Sequence, residues 1–374
     1  PIEKLPQAWE GGRPMLGRFS KGIVRIVVIG LVLLLSGCHE ADTTTTPTDM
    51  STAKQIIGGE EEPIPTVDLS IEMQATQSWR IAFVPKEKFY AKTGNLGPYW
   101  QPAWDGAEQA GKDFGVNMIL VALQEACDTD AACIEPQIRL VADLAEQNNI
   151  DGIILAPLDS NRLAPVANKA IASGIHVLAM DTAVNSDQLL TFVVFDNYRA
   201  GKMIGDWVVE QLGGKGKVLI LEGPPDQQNA VDRRNGFLAG LQRGNMDVLD
   251  AQSADWEIEP AKAVTAAWLR TYPDVDAILA ANDDMALGAA QAVVEANRQN
   301  ITITGFDATA AGVAAIVSGA IAATVDQAPA KQARLAVQLL IRHLETGETF
   351  PPIIFLPDIP LVTKENVADY LLAP

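Results

Sequence analysis

Polar side chains able to hydrogen-bond a hydroxyl group follow several apolar runs of this sequence. Asp181, Asn282, Asp307 and Gln327 each come at or just after the end of such a run. Taken singly, an aspartate or asparagine at such a place is often the cap of the next helix. Four of them after successive runs favour a different hypothesis, a site that binds a hydroxylated molecule through hydrogen bonds.

Aromatic residues in loops give a second indication of the same chemistry. Tyr99 and Trp100 follow the first apolar run of the folded part, and Trp256 lies in a polar stretch. The flat face of an aromatic ring packs against the apolar C–H face of a sugar ring. The alternative is that each of these rings closes a local hydrophobic contact. We interpret Tyr99, Trp100 and Trp256 as candidate ligand-stacking residues.

Motifs for catalysis and for metal binding are weak in this sequence. The histidines are His39, His176 and His343, and the sequence has no Gly-x-Ser-x-Gly elbow and no two-histidine metal motif. The glycine-rich residues 213–217 follow a predicted helix and precede a predicted strand, whereas a phosphate-binding loop precedes a helix. We therefore expect a protein that is not an enzyme and that holds no metal and no cofactor.

Composition indicates a soluble two-domain protein that does not bind nucleic acid. The chain has 374 residues, of which 48% are hydrophobic and 20% charged, and its net charge is −19. Such a length fits about two domains. Affinity for a phosphate backbone needs basic patches, so the strongly acidic balance argues against a nucleic-acid partner.

Short apolar runs alternate with amphipathic segments from Arg80 onward. This alternation predicts an α/β fold, in which parallel sheets carry helices on both faces and ligands bind beyond the carboxyl ends of the strands. The predicted strands are 81–84, 116–121, 152–155, 176–180, 217–221, 246–251, 277–280 and 301–306. The predicted helices are 104–114, 136–147, 163–172, 198–212, 230–241, 260–270 and 285–296.

The first 38 residues have the order of a bacterial lipoprotein signal. Arg18, Lys21 and Arg25 precede the apolar run 26–35, which is short for a membrane span, and Leu-Ser-Gly-Cys ends at Cys38. This end resembles a lipobox, so we expect residue 38 to be lipidated and to anchor the protein to a membrane. The alternative is a short buried helix or a membrane anchor helix.

The residues on either side of this signal are expected to lie outside the fold. Residues 1–14 make poor sense ahead of a signal peptide, and we expect Met15 to be the native start. Residues 39–78 are polar and contain a run of threonines and a run of glutamates, which predicts a flexible tether.

Two further cysteines lie close together in Ala-Cys-Asp-Thr-Asp-Ala-Ala-Cys. In an oxidising extracytoplasmic compartment, Cys127 and Cys133 are expected to form a disulfide. The alternative is a pair of free thiols or metal ligands, which is weak because no histidine lies nearby.

A family resemblance rests on five stretches taken together. They are VDAILAANDDMALGAAQAV at 275–293, ITGFDAT at 303–309, AATVDQAP at 322–329, DNYRAGKMIGDWV at 196–208 and NAVDRRNGF at 229–237. On these motifs, the chain from about Trp79 to Tyr370 resembles the ribose-type periplasmic binding proteins, the pentose and hexose group of bacterial ABC importers.

The resemblance implies the type I periplasmic binding protein fold. This fold has two doubly wound parallel-sheet lobes joined by a three-strand hinge, which crosses near Val194, Gln327 and Leu356. The implied lobes are residues 79–194 plus 328–356 and residues 195–327 plus 357–374.

The resemblance also implies how a ligand is bound and delivered. Tyr99 and Trp100 would stack on one face of a sugar and Trp256 on the other. Hydrogen bonds to the hydroxyls would come from Asp181, Asn282, Asp307 and Gln327. The implied protein is an extracytoplasmic monomer that passes a sugar or polyol to an ABC permease with its ATPase.

Three positions depart from the family pattern and predict a ligand other than ribose. Ribose binders carry asparagine where Ala156 stands, an arginine where Thr182 stands, and another arginine near Val231. Without these donors, Asp181 and Asp307 are expected to lack an assured positive partner. Such a pocket suits a neutral hydroxylated ligand, and it also suits a small cationic amine.

A different role is compatible with the same fold. The protein would then present its ligand to a histidine kinase or a chemoreceptor as a sensor input. The residues do not separate transport from sensing.

Overall fold

A computed structural model describes residues 67–87, 95–123, 130–147 and 149–371. The predicted signal peptide with Cys38, residues 39–66 of the predicted tether, and Cys127 lie outside these ranges. Within them, no helix combines the length and the apolar character needed to cross a membrane.

Strands and helices alternate along the described residues. The strands are β1 (Arg80–Val84), β2 (Asn117–Leu120), β3 (Gly152–Leu155), β4 (His176–Met180), β5 (Phe192–Val194), β6 (Lys215–Glu222), β7 (Asn245–Ser253), β8 (Ala277–Ala280), β9 (Thr302–Thr304), β10 (Ala323–Val325), β11 (Ile353–Phe355) and β12 (Leu361–Thr363). The helices are α1 (Trp100–Phe114), α2 (Asp130–Gln147), α3 (Ala164–Ala172), α4 (Asn197–Gln211), α5 (Gln228–Leu241), α6 (Ile258–Thr271), α7 (Asp283–Glu295), α8 (Ala310–Ser318), α9 (Pro329–Thr346) and α10 (Val367–Leu371).

The strands form two six-stranded sheets, one in each lobe. The first has the order β11-β5-β4-β3-β1-β2 and is parallel throughout. The second has the order β12-β10-β9-β8-β6-β7 and is parallel except for β12, which pairs antiparallel with β10. Central strands such as β3 and β8 are buried along their whole length, because helices cover both faces. The predicted two-lobed α/β fold is therefore confirmed.

The chain passes between the two sheets at three places. It leaves the first sheet after β5, returns from β10 through Gln327 to α9, and passes from β11 to β12. Strands β5, β10, β11 and β12 were not among the strands predicted from alternation. Each has only three residues, which is too short to give a periodic pattern.

Two helices begin four or more residues earlier than the sequence predicted. α1 begins at Trp100 and not at residue 104, and α2 begins at Asp130 with Pro136 inside it. The prediction took Pro136 as a first helical position, where proline is favoured. In the structure this proline costs one backbone hydrogen bond within a helix of 18 residues.

Residues 67–79, most of which were assigned to the predicted tether, contact the first lobe. Gln338 Nε2 on α9 donates to the Leu69 carbonyl at 3.0 Å, and Arg342 Nη1 donates to the Asp68 carbonyl at 2.7 Å. The Trp79 indole donates to the Glu345 carboxylate at 2.6 Å. These bonds hold the segment along α9.

Glycines bring α4 and α5 unusually close together in the second lobe. A Cβ on Gly236 would lie 2.3 Å from the Tyr198 carbonyl oxygen, and one on Gly201 would lie 2.5 Å from that of Arg233. Only a residue without Cβ fits such a contact between helix backbones. The close contact places Arg233, on α5, within reach of the cleft between the lobes.

We expect Gly236→Ala to lower the free energy of unfolding by about 2–3 kcal/mol, because the added methyl forces two helix backbones apart. Urea denaturation measures the change. The control is Gly319→Ala, where nothing lies within 4 Å and only the positive φ of 80° is strained, so that about 1 kcal/mol is lost. Equal losses in the two variants would contradict the packing argument.

Candidate functional site

Polar and aromatic side chains converge at the carboxyl ends of strands in both lobes. In the first lobe, Lys86 follows β1 and Asp181 follows β4. In the second lobe, Trp256 follows β7 and Asp307 follows β9, while Gln327 lies in the connection after β10. Hydrogen bonds from Lys86 and from Trp256 to the side chain of Gln227 join the two sides of the cleft between the lobes.

Asp181 is buried and is paired with Lys86. The Lys86 ammonium lies 3.2 Å from Asp181 Oδ2, and it donates to Thr182 Oγ1 at 2.9 Å. The Thr182 hydroxyl in turn donates to Asp181 Oδ2 at 2.6 Å. Burial raises the pKa of Asp181, but the Lys86 charge and the Thr182 hydroxyl outweigh it, so the pKa is lowered overall and the carboxylate is ionised at neutral pH.

Asp307 has its own cation in the second lobe. Arg233 Nη1 lies 3.3 Å from Asp307 Oδ1 and donates to the Ala281 carbonyl at 2.6 Å, while its Nε donates to Asn197 Oδ1 at 2.8 Å. The Arg233 guanidinium lies over the Phe306 ring at 4.0 Å and is almost fully buried. These four contacts hold the guanidinium in one position.

The sequence-based expectation that Asp181 and Asp307 lack positive partners is wrong. Lys86 lies 3.2 Å from Asp181 Oδ2, and Arg233 lies 3.3 Å from Asp307 Oδ1. Lys86 lies two residues after the end of β1, and its place after a strand was the signal that could have identified it as a site residue.

Asp283 holds the loop that carries Asp307. Its Oδ2 accepts from the Thr309 backbone N–H at 2.8 Å, and its Oδ1 accepts from Thr324 Oγ1 at 2.7 Å. The Thr324 hydroxyl also accepts from the Ala308 N–H at 3.2 Å. Asp283 is completely buried, so this network fixes the loop from behind the cleft.

Trp256 is held in place by the neighbouring loops. Its indole Nε1 donates to Gln227 Oε1 at 3.0 Å, and its carbonyl accepts from Asn282 Nδ2 at 3.1 Å. A Cβ on Gly223 would lie 2.2 Å from the ring, so the loop backbone approaches the indole face closely. Asn282 also caps α7 by accepting from the Met285 N–H at 2.9 Å. Its position thus combines capping with support of Trp256.

Tyr99 and Trp100 differ in their surroundings. Trp100 is the first residue of α1 and not a loop residue, is 4% exposed, and meets the Tyr99 ring edge-on at 5.1 Å between centroids. The Tyr99 hydroxyl accepts from Gln332 Nε2 at 3.2 Å. Burial, followed by the negative charges of Asp181 and Asp307, raises the pKa of Tyr99. Tyr99 therefore lies at the site, with Trp100 behind it.

Gln327 connects the hinge to Asp307. Its Nε2 donates to Asp307 Oδ1, and its backbone carbonyl accepts from Gln332 Nε2 at 2.9 Å. Gln327 Oε1 is buried and has no hydrogen-bond partner in the part of the chain that the structure describes. An acceptor left unpaired in this way favours a ligand donor beside it.

Left-handed backbone conformations cluster at the site. Among the described residues other than glycine, positive φ angles occur around the site at Asp181 (64°), Asp255 (53°), Trp256 (67°), Asp307 (112°), Ala308 (49°) and Ala328 (48°), and away from it at Asn297 (52°) and Asn300 (60°), between α7 and β9. Such conformations are disfavoured for side chains with a Cβ and persist where surrounding bonds enforce them. They set the direction of the two carboxylates and of the tryptophan.

Two further predictions concern the cysteines and metal ligands. Cys133 is buried and disulfide-bonded, whereas its predicted partner Cys127 lies outside the described residues, so their pairing stays a prediction. No group of three or more potential metal ligands occurs in the described part of the chain.

The Asp307 carboxyl links ligand binding to pH. Burial is the main cause that raises its pKa to about 8, against the opposing charge of Arg233. Ligand hydroxyls donate to the ionised form, so binding lowers this pKa and releases a proton below pH of about 8. Affinity is therefore expected to rise with pH up to about 8 and to level off above it.

Calorimetry in two buffers with different ionisation enthalpies measures the proton release. Asp307→Asn, which keeps the shape but does not ionise, is expected to release none. A proton release of the same size in this variant would assign the effect to another group.

The chain matches a known family over most of its length. The model for the periplasmic binding protein domain matches residues 89–349. The chain belongs to this family. Among its relatives, this periplasmic binding protein is 34% identical to the D-ribose/D-allose-binding protein of Pseudomonas aeruginosa, over 66% of this chain and 77% of the relative. It is 30% identical to the D-allose-binding periplasmic protein of Escherichia coli, over 71% of this chain and 88% of the relative.

A solved structure agrees with the family assignment. An ABC transporter periplasmic solute-binding protein from Actinobacillus succinogenes with bound D-allose superposes with a TM-score of 0.70 at 28% identity. The match covers 78% of this periplasmic binding protein and all of that chain. The resemblance inferred from the five sequence stretches is therefore confirmed.

Proposed function

We propose that this periplasmic binding protein is the substrate-binding subunit of an ABC importer and captures a sugar or polyol between its lobes. The observation that carries the proposal is the convergence of Asp181, Asp307, Gln327 and Trp256 at facing strand ends. Carboxylates and amides bind hydroxyls, while the indole face suits the C–H face of a ring.

The charge of the site favours a neutral ligand over a cationic amine. Asp181 is balanced by Lys86 at 3.2 Å, and Asp307 lies 3.3 Å from Arg233. An ammonium ligand would have to enter beside two fixed cations, whereas hydroxyl groups can use both the carboxylates and the cations. We therefore set the amine hypothesis aside in favour of an uncharged, hydroxyl-rich molecule.

The names of the relatives support an aldose or a polyol as the class of ligand. They include proteins for D-ribose and D-allose, and a xylitol-binding protein of Mycolicibacterium smegmatis at 32% identity over 63% of this chain. We propose that Asp181, Asn282, Asp307 and Gln327 contact the hydroxyls, together with Arg233. Tyr99, Trp100 and Trp256 would enclose the ring.

Capture follows from the position of the site between two lobes with three connections. A ligand that touches both lobes binds the closed arrangement better than an open one, and so shifts the population toward closure. The closed form would then dock on the permease, whose ATPase drives import. The kinship with import proteins favours this role over a sensor input.

We further propose that the protein works outside the cytoplasm as a lipid-anchored monomer. The family description supports the location, and the order of the n-region, apolar run and Cys38 supports the anchor. A Cys127–Cys133 disulfide would suit the same oxidising compartment. We place the first lobe at 79–194 plus 328–356, and the second at 195–327 plus 357–374.

A thermal-shift screen of pentoses, hexoses, polyols, cyclic polyols and small amines tests the proposed function. A molecule that binds only the native state raises the melting temperature with its concentration. We expect a sugar or polyol to raise it, and no amine. A shift with amines alone, or hydrolysis of a sugar in the panel, would overturn the proposal.

A further inference from the structure

A charged hydrogen bond crosses the cleft between the lobes. Lys86 Nζ, in the first lobe, donates to Gln227 Oε1, in the second lobe, at 2.7 Å. A neutral backbone hydrogen bond runs from the Ser160 N–H to the carbonyl of Asp226, the residue before Gln227, at 3.3 Å. Both contacts join loops at the carboxyl ends of strands.

The donors of the Lys86 ammonium are fully used by protein acceptors. An ammonium has three N–H donors, and the acceptors here are Gln227 Oε1, Thr182 Oγ1 and Asp181 Oδ2 at 2.7, 2.9 and 3.2 Å. The side chain is only 10% exposed. Two acceptors belong to the first lobe and one to the second, so opening the lobes removes only the bond to Gln227.

Gln227 contacts Trp256 as well as Lys86. It is completely buried, and its Oε1 also accepts from the Trp256 indole at 3.0 Å. It precedes α5 without using its side chain as a helix cap. One amide oxygen therefore joins the cation beside Asp181 to the ring of Trp256, whose centroid lies 5.6 Å from the ammonium.

We propose that Lys86 and Gln227 are a positioning pair that stabilises the closed arrangement of the lobes and aligns Trp256 with Asp181. The inference rests on the proposed hinge closure but on no particular ligand. Because only the closed arrangement contains the bond, its loss shifts the lobes toward opening. Apparent ligand affinity then falls by the same factor as the closed fraction, even where ligand contacts are intact.

Gln227→Glu and Lys86→Met make opposite changes to the pair. Gln227→Glu keeps the shape and turns the hydrogen bond into an ion pair, so we expect the ratio of closed to open molecules to rise about tenfold. Lys86→Met is expected to lower it about tenfold. In the double variant the new carboxylate has lost its cation, so the ratio should fall below that of Lys86→Met alone.

Small-angle X-ray scattering of the ligand-free full chain measures the ratio through the radius of gyration. The control is Lys202→Met, which removes a lysine paired with Asp206 within α4 at 2.7 Å and leaves the ratio unchanged. Melting temperatures verify that every variant is folded.

The reversal of sign distinguishes this pair from a general effect of charge or stability. If Gln227→Glu closes the lobes only while Lys86 is present, the inference is supported. If neither single variant changes the ratio, the inference is overturned. The thermal-shift screen decides the proposed function separately, since a sugar that stabilises the wild type leaves that proposal standing in either case.

Discussion

Asp307→Ala is expected to weaken sugar binding by more than a hundredfold in a protein that still folds. The carboxylate lies between Arg233 and Gln327, and its removal leaves both donors without their acceptor. Two charge-assisted hydrogen bonds from ligand hydroxyls to this carboxylate would together contribute about 3 kcal/mol or more to binding. The backbone at this position already has a φ of 112°, so alanine adds no new strain. Isothermal titration with the sugar found in the screen measures the loss.

The matched control removes a carboxylate far from the strand ends that form the site. Asp274→Ala deletes an exposed side chain that pairs with Lys217 at 3.5 Å, and we expect unchanged affinity. Losing the acceptor of the buried Arg233 is expected to lower the melting temperature of ligand-free Asp307→Ala, and a cooperative melting transition verifies that this variant is still folded. Normal affinity in a folded Asp307→Ala protein would remove this residue from the site.

Trp256→Ala lowers the affinity for the same sugar by about thirtyfold, because the ring loses its apolar stacking partner. Trp256→Phe keeps a flat ring and is expected to lose about fivefold or less. Gly223→Ala should behave like the alanine variant, since its new Cβ would occupy the place of the indole. Titration calorimetry on the three proteins gives the order.

The order of these three affinities is the decisive observation. If Trp256→Ala binds as the wild type does while Gly223→Ala is impaired, the glycine acts through the loop backbone and the indole does not contact the ligand. Melting temperatures exclude partial unfolding as the cause.

The sequence predicts the sheets and the strand ends well, for a definite physical reason. Buried parallel strands such as 152–155, 176–180 and 277–280 are continuous apolar runs, and the structure has the same bounds. Such runs are visible without tertiary information. The polar residue after each run then falls at the carboxyl edge of a sheet.

The partners of the site residues could not be predicted in the same way. Lys86 reaches Asp181 from 95 positions away, and Arg233 reaches Asp307 from 74 positions away, so neither pair leaves a local pattern. The left-handed conformation of Trp256 and Asp307 is equally hidden, because it is imposed by bonds from other loops and not by glycine. Family departures at Thr182 and Val231 therefore suggested missing charges that other residues supply.

The roles of Asn282 and Trp100 also depend on tertiary contacts. Both residues were predicted to contact a ligand. In the structure the Asn282 side chain caps α7 and donates to the Trp256 carbonyl. Trp100 lies in the first turn of α1 against Phe83, at 6.4 Å between ring centroids. Their direct contact with a ligand stays a prediction.

A crystal structure with the sugar identified by the screen tests the central claim most directly. We predict the sugar between the lobes, with a ring face against Trp256 and hydroxyls on Asp307 and Gln327. At least one further hydroxyl should contact the first lobe at Asp181. A sugar bound to one lobe alone, or outside the edge where these strands end, would contradict capture by closure.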